Sequence, residues 1–162
     1  MKNRIKEQKG FATSDALLAV LIIILFSGLI ATISYNVYLS NSSIKRMSKA
    51  TGYITNMFEY IDKEYYQNVT VDGLRNYINN NQAIFNTTDN QVNISSNNTE
   101  ETSRSIGSNN PAFTMNIYIE YYNKTQGNTD KLDLVKEITM TVNYKLGNKN
   151  QEITMTRNKA KE

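Results

Sequence analysis

The sequence predicts an α+β protein in which a long N-terminal helix, transmembrane in its first half, packs on a C-terminal antiparallel β-sheet. Three observations carry this. An apolar run from Ala16 to Ile33 is interrupted only by Ser27, Gly28 and Thr32. A helical period of apolar residues continues beyond it, and the last third of the chain alternates apolar with polar residues at period two.

The apolar run is long enough for the hydrocarbon core, which a helix crosses with roughly 17–25 apolar residues. Tyr35 and Tyr38 follow at once, where amphipathic rings favour the membrane interface. Lys2, Arg4, Lys6 and Lys9 stand in the first ten residues against Glu7 alone, which places the N-terminus in the cytoplasm and the bulk of the chain outside. That short segment accounts for the whole formal charge of +3, because acids and bases are equal in number from Phe11 onward. No basic stripe is left for phosphate, so nucleic acid is not an expected partner. Histidine and cysteine are both absent, which removes thiolate chemistry, Cys/His metal sites and the commonest general base near neutral pH. Glu100, Glu101 and Glu120 are the remaining enzymatic candidates. The first two fall in a polar loop and the third on the solvent side of a strand, where solvated charge is the default. No catalytic residue, metal ligand or cofactor is expected.

A cleavable secretory signal would have a shorter apolar region, roughly 7–15 residues, closed by small residues. Leu29-Ile30-Ala31 matches that poorly, but composition leaves a plain uncleaved anchor open. Asp15 is the discriminating residue, since a carboxylate at the mouth of an apolar helix costs a few kcal/mol if buried unpaired in lipid. Two roles are open to it: capping its own helix, or meeting a charge from another molecule.

The string Lys9-Gly10-Phe11-Ala12-Thr13-Ser14-Asp15, followed by Ala16-Leu17-Leu18-Ala19-Val20, resembles the leader of type IV prepilins. The shared features are a short basic leader ending in Gly, an aromatic first mature residue, and an acid at the fifth mature position. The likeness covers roughly the first thirty residues, and its specificity lies in the combination. It implies a prepilin peptidase that cuts between Gly10 and Phe11 and methylates the new amine of Phe11. Asp15 then neutralises the terminal amine of a neighbouring subunit. The sequence departs from the family in having Asp where Glu is usual, one methylene shorter, and in lacking the proline usual farther along the helix. A kink at that proline is therefore not expected.

These readings divide the chain into a leader (1–10), a transmembrane and assembly helix (11–40) and an extracytoplasmic domain (41–162). Within the domain, Ile44, Met47, Ile54, Met57, Phe58, Ile61 and Tyr65 recur at three- and four-residue spacings, extending the helix to about Tyr66 with one face for a sheet. The stretch from Asn68 to Pro111, rich in Asn, Ser and Thr, reads as loop, with a short helix from Asp72 through Leu74, Tyr77 and Ile78 and a brief strand at Val92 to Ile94. Phe113 to Tyr121 and Ile138 to Leu146 alternate as strands. Gly147-Asn148-Lys149-Asn150 turns into a third from Gln151 to Thr156, with antiparallel order throughout. Tyr118 and Tyr122 fall on the outer face of this sheet. The closing hairpin is similar to that of minor pilins and minor pseudopilins.

The function these features imply is structural: a subunit of a type IV pilus or related pseudopilus, as a minor pilin, anchored and then assembled through its helix. Its partners would be the prepilin peptidase, other subunits, the assembly platform and membrane lipid. The alternative is an uncleaved single-pass surface protein whose outer domain binds a ligand or senses one.

Overall fold

Nothing in the first 63 residues stops a helix, because the single proline of the chain lies at position 111. Accordingly α1 runs from Lys2 to Lys63 in the computed structural model, which describes residues 2–121 and 135–161, with side chains from Ser14 onward. The chain separates into two compact units, Met1–Ser43 and Ile44–Glu162.

The second unit is an α+β domain. After α1, a 3₁₀ turn (Tyr66–Asn68) leads to α2 (Val71–Asn80) and the single-turn α3 (Gln82–Phe85). Thr70 starts α2 as an N-cap, its hydroxyl accepting the Gly73 amide at 3.0 Å. Asn86 closes α3 in the left-handed region, φ 45°, which Asn tolerates better than most residues. Five strands follow: β1 (Gln91–Ser96), β2 (Arg104–Gly107), β3 (Phe113–Tyr121), β4 (Val135–Leu146) and β5 (Lys149–Ala160). Their spatial order is β2-β1-β3-β4-β5.

The period-two pattern sets which face is buried. Val92 and Ile94, then Met115, Ile117 and Ile119, then Ile138, Met140 and Val142 point into a core shared with Ala50, Ile54, Met57, Phe58 and Ile61 of α1 and Leu74 and Ile78 of α2. The opposite sheet face is polar and self-paired. Thr139 and Thr156 hydroxyls lie 3.1 Å apart, those of Thr141 and Thr154 lie 2.9 Å apart, and Asn93 bridges Asn116 and Ser105 at 2.8 Å each. Tyr118 stands exposed on this face, while Tyr122 lies outside the described residues. The β4–β5 loop is the two-residue Gly147-Asn148, with Gly147 at φ 59°, the positive angle that a tight hairpin needs at its first central position.

Three expectations need correction. The sheet is mixed, since β1 pairs β3 in parallel, Val92 opposite Met115 and Ile94 opposite Ile117. β2 adds an antiparallel strand outside β1 that its composition hides. On α1 the buried stripe is shorter than its periodicity: Ile44 and Met47 are exposed and Ala50 is buried instead, while Tyr65 lies past the end of α1 and is exposed.

Candidate functional site

The residues singled out for processing and assembly all lie on α1. Gly10 and Phe11 belong to its backbone, and their side chains lie outside the described residues. Asp15 is exposed and sits well inside the helix, which begins at Lys2, so in the unprocessed chain it does not cap that helix. It is followed by an exposed apolar surface. Leu17, Leu18, Leu21, Ile24, Phe26 and Ile30 are all exposed, and no residue of the most apolar stretch is buried. This one helix near the N-terminus is long and apolar enough to cross a membrane. Soluble monomers rarely expose a contiguous apolar surface of that extent. The polar interruptions suit apolar surroundings, since Thr32 donates its hydroxyl to the Gly28 carbonyl at 2.9 Å and so satisfies it within the helix.

The carboxylates considered for chemistry are dispersed. Glu101 is not a plain solvated loop charge: it accepts the Tyr121 hydroxyl at 2.6 Å and the Val71 amide at 3.4 Å, pinning the β1–β2 loop to β3 and the start of α2. Glu100 is exposed in the same loop. Glu120 lies opposite Glu137 in the β3–β4 register, on the face away from the core. Among the described residues no three acidic side chains gather where a metal ion would be held.

The buried cation Lys136 gave no signal in the sequence beyond interrupting an apolar alternation. It is 2% exposed, and its ammonium donates to the Tyr66 and Val69 carbonyls at 2.8 Å each. The same group stands 4.3 Å from the Tyr66 ring centre and 4.7 Å from that of Tyr121. Lys136 thereby ties the turn after α1 to the start of β4. On β5, Arg157 pairs with Asp62 at 2.5 Å and Lys159 donates to the Asp62 carbonyl at 3.1 Å, fastening the edge strand to α1. Charges turned inward at a sheet edge also discourage edge-to-edge aggregation.

The fold and the helix together define an α+β protein with an N-terminal segment able to span a membrane. Comparison with family models, curated proteins and solved structures returns no match to this chain.

Proposed function

We propose that this chain is a structural subunit of a type IV pilus or related pseudopilus, a minor pilin cut between Gly10 and Phe11, methylated at Phe11, and assembled through α1. The observation that supports it is the sequence Lys9-Gly10-Phe11 with Asp15 at the head of an exposed apolar helix surface. In the membrane that surface faces lipid, with the N-terminus cytoplasmic and the domain outside. In a filament it exchanges lipid for neighbouring helices. Removing the leader also changes the setting of Asp15: it becomes the fifth residue of the shortened helix, near its N-terminal end, where negative charge is favoured. Asp15 then serves as counter-ion to the amine of an adjacent subunit, so that neither charge is buried alone. The protein needs no cofactor or active site for this role.

Substitution separates the counter-ion from a local cap. Asn ranks with Asp as a cap but carries no charge, so Asp15→Asn keeps capping and abolishes neutralisation. Processing should persist in this variant while the ratio of filament-associated to membrane-retained protein falls, because an amine buried without its counter-ion costs several kcal/mol. Asp15→Glu should assemble at least as well as the wild type. Normal incorporation of the Asn variant would remove the charge-pairing role.

A further inference from the structure

The end of α1, the Tyr66–Asn68 turn and α2 line an open surface cleft of about 420 Å³, within the size range of small-ligand sites. One wall is aromatic: Tyr60 and Tyr77 stack with ring centres 3.8 Å apart and planes 8° from parallel. Phe85 supports Tyr77 from behind, edge-on at 5.8 Å. The pair is therefore held rigid before any ligand arrives.

The polar groups divide into two kinds. Glu64 is a fixed acceptor, held by the Asn68 amide at 2.6 Å, the Tyr65 backbone N–H at 3.2 Å and the Tyr60 hydroxyl. Those donors, the Asn68 amide first, keep its carboxyl below the usual Glu range. Gln67, Asn76 and Asn80 are the opposite case. They line the cleft, and none makes a side-chain hydrogen bond to the described residues. Asn76 and Asn80 are one helical turn apart and so share a face of α2. Each amide offers a carbonyl acceptor beside an N–H donor pair.

We propose that this cleft binds a neutral saccharide, its hydroxyls bridged by the Gln67, Asn76 and Asn80 amides and by Glu64, with the Tyr60–Tyr77 pair as the apolar wall. Sugar hydroxyls are at once donors and acceptors, which is what these exposed amides complement, whereas an apolar ligand would leave them desolvated and unpaired. An anionic ligand is disfavoured because Glu64 is the one charge lining the cleft and no Lys or Arg lines it. A cation finds Glu64 already engaged by three donors and influenced by the positive charge of Lys159. The assignment stands on the cleft alone and does not depend on how the N-terminus is processed.

The test uses the full chain in lipid nanodiscs, which avoids glycoside detergents, applied to arrays of immobilised neutral gluco-, manno-, galacto- and N-acetylglucosamine oligosaccharides beside sialylated ones. Retention on at least one neutral class is expected. The double variant Asn76→Ala/Asn80→Ala should weaken that retention by about tenfold or more, the loss expected from one or more well-formed hydrogen bonds. Both positions are exposed and Ala favours helix, so the circular dichroism of the variant should match the wild type. Glu64→Gln should weaken retention as well. Failure to retain any neutral oligosaccharide, retention of sialylated ones only, or retention indifferent to the double variant would each overturn the proposal.

Discussion

Replacing two helical glycines by alanine should change stability in opposite directions. Glycine inside a helix costs roughly 0.5–1 kcal/mol relative to alanine, so on propensity alone both Gly52→Ala and Gly73→Ala stabilise. At Gly52 of α1 the space for a Cβ is open, with no atom within 4 Å, and the propensity gain should be realised in full. At Gly73 of α2 the Cβ would overlap the carbonyl oxygen of Asn68 and come within 3.2 Å of the Thr70 hydroxyl. Relief requires moving the turn whose Asn68 carbonyl accepts the Thr70 amide at 2.9 Å, and with it the N-cap of α2. Overpacking of this kind costs roughly 1–3 kcal/mol, and it exceeds the helix gain by about 1–2 kcal/mol. The propensity gains cancel in the comparison, so the two variants should differ by roughly 1–3 kcal/mol, or on the order of 10 °C in Tm for a unit of this size. Thermal unfolding of the full chain in detergent micelles, followed by circular dichroism, reads this directly. A rise in Tm for Gly73→Ala equal to that for Gly52→Ala would refute the close approach of the turn to α2.

Two further outcomes follow from buried and half-buried polar groups. Lys136→Met keeps the aliphatic stem but leaves the Tyr66 and Val69 carbonyls without their cation, and should cost about 2–4 kcal/mol in denaturant unfolding. A loss below about 0.5 kcal/mol would mean that water replaces the ammonium at no expense. Burial and the charge of Glu64 raise the Tyr60 pKa above 10.0, and burial raises that of Tyr77. Their folded values exceed the unfolded ones, so the stability they contribute is complete below pH 10.0 and is lost as pH rises through the folded values. Absorbance titration of tyrosinate should show late-ionising residues that disappear in Tyr60→Phe/Tyr77→Phe. An unchanged profile in that variant would contradict the desolvated stack.

The strands with the strongest alternation were the most legible. Phe113 starts β3 and Leu146 ends β4 as their patterns read, and among the described residues Val135 to Glu137 also belong to β4. Their apolar side chains had a single face to bury, and a slip by one residue would expose them all. β2 was invisible because Ile106 is its one apolar residue, in a stretch otherwise Ser- and Asn-rich. Missing it also cost the strand direction. The extra reversal at β2 brings the chain back along β1, so that β3 must run parallel to β1, whereas alternation of Val92 and Ile94 reads the same either way. On α1, periodicity identified the face that holds Ile54, Met57, Phe58 and Ile61 but not how far the sheet covers it, and Ile44 and Met47 lie beyond that cover. The cleft was not legible at all. It depends on Tyr60 and Tyr77 meeting across two helices, and on amides that look like loop composition in a chain rich in Asn. Gly10, Phe11 and Asp15 are the reverse case: a local pattern draws attention to them, while their proposed partners belong to other molecules.

Whether the chain is processed as a prepilin is read from the intact mass of the protein recovered from cells containing a prepilin peptidase. The expected mass is that of a chain beginning at Phe11 with one added methyl group, and Gly10→Val should leave the leader in place. A wild-type chain that keeps Met1 to Gly10 in peptidase-positive cells would contradict prepilin processing, and would make the protein an uncleaved single-pass surface protein.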